Sequence, residues 1–162
     1  MLMTVAQPRE ARFAPAPIPG ARLVETRFGA VAVAEDAVIR MPYGVLGFED
    51  NHTYTLVPFP DASLGHFRLL QNIEEPSLSF VVLPLATDSG LIDPEDLEET
   101  RQVVGAGHED VAVLLIVTVR KTDTGMSMTA NLRAPIVLDA RGMTARQCVL
   151  SNNKYSKSKT SG

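Results

Sequence analysis

The 162 residues include no tryptophan, and aromatic residues make up only 6% of them, so any core must rest on Val, Leu, Ile and Ala. A single cysteine, Cys148, excludes an internal disulfide. It lies in the apolar stretch Gln147-Cys148-Val149-Leu150 with no histidine near it in sequence. A nucleophilic thiol needs an activating neighbour, so Cys148 reads as a small buried hydrophobe. The longest apolar run, Val111 to Val119, is far too short to span a bilayer. The first twenty residues have no continuous apolar segment and carry Glu10, which argues against a secretory signal. Together these absences give a cytoplasmic expectation with no membrane partner.

The machinery of catalysis is equally sparse. The three histidines, His52, His66 and His108, are not at i, i+4 spacing, and no H-E-x-x-H occurs. His108-Glu109-Asp110 is too short a set for a metal site, which needs three or four converging ligands. Gly44-Val45-Leu46-Gly47 lacks the Lys-Ser/Thr of a phosphate loop and the third glycine of a dinucleotide fingerprint. No G-x-S-x-G elbow is present. The expectation is a protein that is not an enzyme and carries no metal or other cofactor.

What the chain does have is charge asymmetry. Its net charge is −4. Residues 21–110 carry sixteen acidic against five basic residues, or −11, whereas 111–162 carry two acidic against eight basic, or +6. An acidic body attracts basic partners and repels phosphates, so direct nucleic-acid binding is not expected.

Hydrophobic residues make up 45% of the chain, enough for one domain with a full core. Residues 1–21 form a Pro/Ala-rich arm, read as disordered because proline blocks helix and removes ladder donors. Residues 153–162 form a basic Ser/Lys/Asn tail, read as flexible. Between them, 22–152 is a run of short β-rich segments broken by Gly, Pro, Asp or Asn. The expected strands are Leu23 to Phe28, Val31 to Val33, Val38 to Met41, Tyr54 to Phe59, Phe67 to Leu70, Leu78 to Leu83, Val111 to Val119, Met126 to Asn131, Ile136 to Leu138 and Gln147 to Leu150. One segment is helical instead. Asp93 suits an N-cap, Pro94 the first helical position, and Gly105 the C-cap after Val104. The fold class is mostly β: a small, antiparallel, partly closed β-barrel with one short surface helix.

Four blocks in order carry a family resemblance. Met41-Pro42-Tyr43-Gly44-Val45-Leu46-Gly47-Phe48-Glu49-Asp50 resembles the aromatic-Pro and G-L-P-G-F-E signature of the FliW family of flagellar assembly factors. Phe67-Arg68-Leu69-Leu70-Gln71-Asn72 resembles its F-x-x-L-Q-S stretch, and Pro76 to Val82 its next strand. Thr129-Ala130-Asn131-Leu132-Arg133-Ala134-Pro135-Ile136-Val137 is similar to its T-x-N-L-x-A-P-I-V block. Val45 and Leu46 stand where the family has Leu and Pro, Asn72 where it has Ser, and Asp139 where it has Asn.

The resemblance implies two protein partners: flagellin and CsrA, a small RNA-binding translational repressor. Once flagellin is exported, the free factor binds CsrA and relieves repression of flagellin translation. Two alternatives are a flagellin chaperone without CsrA activity and a small-ligand-binding β-barrel, the latter needing a pocket with converging polar groups. The candidate partner-binding residues are Phe48, Glu49, Glu74, Glu75, Asp96, Glu98, Glu99 and Asn131. Phe48 is also expected to anchor its loop in the core. Glu49 either caps a loop amide or faces a partner. Asn131 satisfies backbone groups at a strand end.

Overall fold

A computed structural model describes residues 21–59, 64–86, 88–151, 154–155 and 159–161. The expected arm therefore lies outside the described residues up to position 20. Eleven strands and one α-helix are present among the described residues. They are β1 (Ala21–Thr26), β2 (Gly29–Ala34), β3 (Ile39–Arg40), β4 (Thr53–Pro58), β5 (Arg68–Asn72) and β6 (Ser79–Leu85), then α1 (Pro94–Val104). After the helix come β7 (Val111–Thr122), β8 (Gly125–Ala130), β9 (Ile136–Asp139), β10 (Thr144–Gln147) and β11 (Lys159–Ser161).

Seven strands close a ring in the order β9-β10-β3-β4-β5-β6-β7, and β7 pairs back onto β9. All joins are antiparallel except one. β10 meets β3 in parallel at Thr144 and Arg40, where the Arg40 N–H donates to the Met143 carbonyl at 2.9 Å. This seam is the shortest in the ring, because β3 is only two residues long. β1 and β2 form a separate hairpin. The Arg27 guanidinium on the Ser79 hydroxyl and the Phe28 ring against Phe59 hold it to the barrel.

Period-2 alternation explains how the barrel fills. Ile39, Met41, Tyr54, Leu70, Val82, Leu114, Ile136 and Leu138 form the interior. Burying a side chain of this size is worth about 1.5–3 kcal/mol. β7 breaks the alternation, since Val113, Leu114 and Leu115 are all buried. Leu114 points into the barrel, while Val113 and Leu115 join Ile92, Leu97, Leu132, Leu150 and Tyr155 in a second cluster. A strand covered on both faces reads as an uninterrupted apolar run, which is why Val111 to Val119 stands out in the sequence.

The helix begins and ends where expected, but Asp93 makes no side-chain cap bond. Its carbonyl accepts from the Asp96 and Leu97 N–H groups at 3.1 Å, and its carboxylate turns to the Lys154 ammonium. Gly105 closes the helix in the left-handed region at φ 81°.

Three expectations change. The last barrel strand is Thr144–Gln147 rather than Gln147 to Leu150, because the polar sequence Thr-Ala-Arg-Gln gains its strand character from pairing with β9 and β3. β6 runs through Pro84 to Leu85 instead of stopping before the proline. Pairing with β5 ends at Val82, so β6 is an edge there on one side, and edges admit proline. The tail expected to be flexible is partly docked: Tyr155 is buried, and Lys159–Ser161 pairs with β8.

Candidate partner-binding surface

The strand register gathers two segments at one end of the barrel. Tyr54 pairs with Asn72, so the loop entering β4 (residues 41–52) lies beside the turn leaving β5 (residues 73–78). The Ile73 N–H donates to the Thr53 carbonyl at 3.0 Å and joins them.

The first loop is shaped by Gly44, at φ +65°. A Cβ there would meet the Phe48 carbonyl oxygen at 2.5 Å and Glu49 Cα at 2.7 Å, so only glycine fits. The residue that anchors this loop in the core is Val45, not Phe48. Val45 is 2% exposed, whereas Phe48 is 42% exposed and only leans edge-on against Phe80 at 5.4 Å. The N–H of Phe48 donates to the Val45 carbonyl at 2.6 Å, a tight turn that sends one side chain inward and the next apolar one out. Glu49 resolves toward capping: its Oε2 accepts from the Gly47 N–H at 2.8 Å. Leu46, where the resembled signature has proline, donates its N–H to Gln147 Oε1 at 2.9 Å, a bond that a proline cannot make.

The second turn carries Glu74 and Glu75, both exposed. It is held from beneath by two buried polar residues. Asn72 Oδ1 accepts from the Glu74 N–H at 2.9 Å and the Glu75 N–H at 2.8 Å. Gln71 Nε2 reaches the carbonyls of Asn72 at 3.0 Å and Pro76 at 3.1 Å. These two residues were legible only as a motif. A glutamine and an asparagine closing an otherwise apolar strand are the signal for a buried turn-holder.

The helix carries the remaining acids, and the structure separates them. Asp96 accepts from the Tyr155 hydroxyl at 2.5 Å, and that hydroxyl accepts from the Asp93 N–H at 2.8 Å. Burial first, and the Asp96 carboxylate second, push the Tyr155 phenol up. Glu98 is gripped by Arg101 at 2.5 and 3.0 Å, Gln102 at 3.1 Å and His108 at 3.1 Å. The Arg101 guanidinium is the chief reason its carboxyl is lowered to about 2. Both side chains are therefore engaged within the chain, whereas Glu99 is exposed. Asn131 has the structural role expected, its Oδ1 accepting from the N–H groups of Arg133 at 3.0 Å and Ala134 at 3.2 Å.

So Phe48, Glu49, Glu74 and Glu75 share one end of the barrel, while Asp96, Glu98 and Glu99 ride on α1. Between the helix and residues 146–151 lies a groove of about 410 Å³, lined by Glu99, Thr100 and Val103 on the helical wall. A smaller depression of about 260 Å³ lies at Leu97, Glu98, Arg101 and His108. Cys148 is buried and free, and burial raises its thiol pKa. Among the described residues, no three His, Cys, Asp or Glu side chains converge as cation ligands would. No helix among them is long and apolar enough to cross a membrane.

Comparison with known proteins adds an independent observation. A family model described as FliW protein matches residues 22–160. The flagellar assembly factor FliW of Geotalea uraniireducens is 36% identical over 135 residues, covering 83% of this chain and 80% of the relative. That of Syntrophus aciditrophicus is 33% identical over 135 residues, covering 83% of each. The crystal structure of a flagellar assembly factor FliW superposes with a TM-score of 0.69 at 26% identity, covering 85% of this chain and 95% of that one.

Proposed function

This chain belongs to the FliW family of flagellar assembly factors, and on that premise we propose that it couples flagellin synthesis to filament assembly by binding two proteins in turn. One is flagellin. The other is a CsrA-type repressor, whose RNA-binding surface must be basic to hold phosphates. The protein acts in the cytoplasm, by occupancy and without catalysis or cofactor.

The observation that carries this reading is the fixed acidic turn at Glu74 and Glu75. Both carboxylates are exposed, while Asn72 and Gln71 hold their backbone from a fully buried position. Charge presented on a pre-ordered turn docks at little entropic cost. Beside a basic repressor, such a surface lowers the local potential and repels RNA even where it does not cover the RNA site. Glu99 presents a further exposed carboxylate on the helix.

Two measurements test this. The first is the affinity of the repressor for RNA, with and without this protein, over a salt series. Antagonism should weaken steeply as salt rises, and antagonism insensitive to salt refutes the electrostatic account. The second is capture from cells with and without flagellin. Flagellin-bound protein should release the repressor, and capture of flagellin alone reduces the role to that of a flagellin chaperone.

A further inference from the structure

The groove beside α1 has an unusual wall. All six consecutive residues from Arg146 to Ser151 line it. Successive side chains of an extended chain point to opposite faces, so six in a row mean that the groove meets the backbone edge of this segment. The hydrogen bonds agree. Cys148 donates its N–H to the Pro135 carbonyl at 2.8 Å and Leu150 to the Arg133 carbonyl at 2.7 Å. Both bonds continue the β9–β10 register past the end of β10. By alternation, the backbone groups of Gln147, Val149 and Ser151 face the opposite edge. There β3 would be the next neighbour, but it ends at Arg40 and the chain turns away into the Gly44 loop. Val149 is 60% exposed, and among the described residues no partner meets its N–H or carbonyl.

We propose that this open edge accepts an extended segment of a partner protein as an added strand, with apolar side chains alternating with Lys or Arg. The proposal rests on the reading of this chain as a protein-binding factor and names where and how one partner is held. Charge selects the occupant. Glu99 and Val103, at i, i+4 along α1, both line the groove and are both exposed, which gives the helical wall one carboxylate and one apolar side chain. The one cation on the opposite wall, Arg146, is stacked on the Tyr43 ring at 4.4 Å. Tyr43 and Leu46, at 63% and 60% exposed, extend the apolar rim around the loop. A second copy of this chain fits poorly, because edge-to-edge pairing would set two acidic helical faces against each other. Main-chain pairing supplies affinity in such strand addition, and the flanking side chains supply selectivity.

The test uses the full chain and two synthetic eight-residue peptides, one alternating valine and lysine, the other valine and glutamate. The Val/Lys peptide should bind, slow hydrogen exchange of the Val149 amide, and bind at least tenfold more tightly than the Val/Glu peptide. Val149→Pro removes only the outward N–H and leaves the inward bonds of Cys148 and Leu150. It should keep its melting temperature and lose at least tenfold in peptide affinity, while Val149→Ala keeps the N–H and retains binding. Should Val149→Pro not fold, Glu99→Lys gives the second measurement, and it should reverse the preference between the two peptides. The proposal is overturned by binding with no protection at Val149, by equal affinity in a folded Val149→Pro, by an unchanged preference in Glu99→Lys, by no peptide binding at all, or by self-association through this edge. If flagellin and the repressor bind Val149→Pro as well as wild type, the edge is wrong and the proposed function stands. If the peptide binds but neither protein does, the edge stands and the proposed function is wrong.

Discussion

Gly44 and Gly47 both lie at positive φ, yet replacing each by alanine should have unequal consequences. At Gly47, φ +90°, the added Cβ meets nothing within 4 Å, so only the backbone conformation is penalised. A left-handed conformation costs a residue with a Cβ about 1–2 kcal/mol. At Gly44 the same penalty applies, and the Cβ also lands 2.5 Å from the Phe48 carbonyl oxygen and 2.7 Å from Glu49 Cα. These are backbone atoms of a turn closed by the 2.6 Å bond from Phe48 to Val45, so they cannot swing aside. Forced overpacking adds about 1–3 kcal/mol. From both terms together Gly44→Ala should therefore cost about 2–5 kcal/mol, and from the conformational term alone Gly47→Ala about 1–2 kcal/mol. For a chain of this length each kcal/mol moves the melting temperature by about 2–4 °C. Urea unfolding with a common m-value gives the free energies, and thermal melts give an independent check. If Gly44→Ala costs no more than Gly47→Ala, the close approach inferred for this loop does not govern its stability.

Three further outcomes follow from particular contacts. Tyr155→Phe keeps the ring in its cluster but deletes the hydroxyl between the Asp93 N–H and the Asp96 carboxylate, so urea unfolding should show a loss of about 1–3 kcal/mol. Glu98 is held low, at about 2, first by Arg101. A depressed carboxyl stabilises the fold above its unfolded-state value and loses that contribution as pH falls, so its share of acid destabilisation should lie between about pH 4.5 and 2. Glu98→Gln should flatten the stability–pH curve in that window, and an unchanged slope would show that the Arg101 clasp does not favour the folded state. The Cys148 thiol is buried and its pKa raised, so it should react with a thiol reagent at the rate of local opening in native protein and at once in denaturant.

Much of this protein was written in local sequence. Short β-branched runs between turn residues specified a β fold, and Asp93, Pro94 and Gly105 delimited the helix, because those signals act within a few residues of where they stand. The glycines of the 44–47 loop and the turn role of Asn131 were legible for the same reason. The mean charge of the acidic half was legible too, being a plain sum over residues. Tertiary structure decided what local signals do not contain. Val45 rather than Phe48 faces the core, because inward and outward positions in that loop are set by closure onto the barrel interior. Asp96 and Glu98 are spent on Tyr155 and Arg101, the first of these lying 59 residues away along the chain. Thr144–Gln147 became a strand only because β3 and β9 lay beside it. The segment beyond it has an open edge because β3 stops at two residues, and the neighbour that a strand lacks is set by the whole sheet and never by the strand's own sequence.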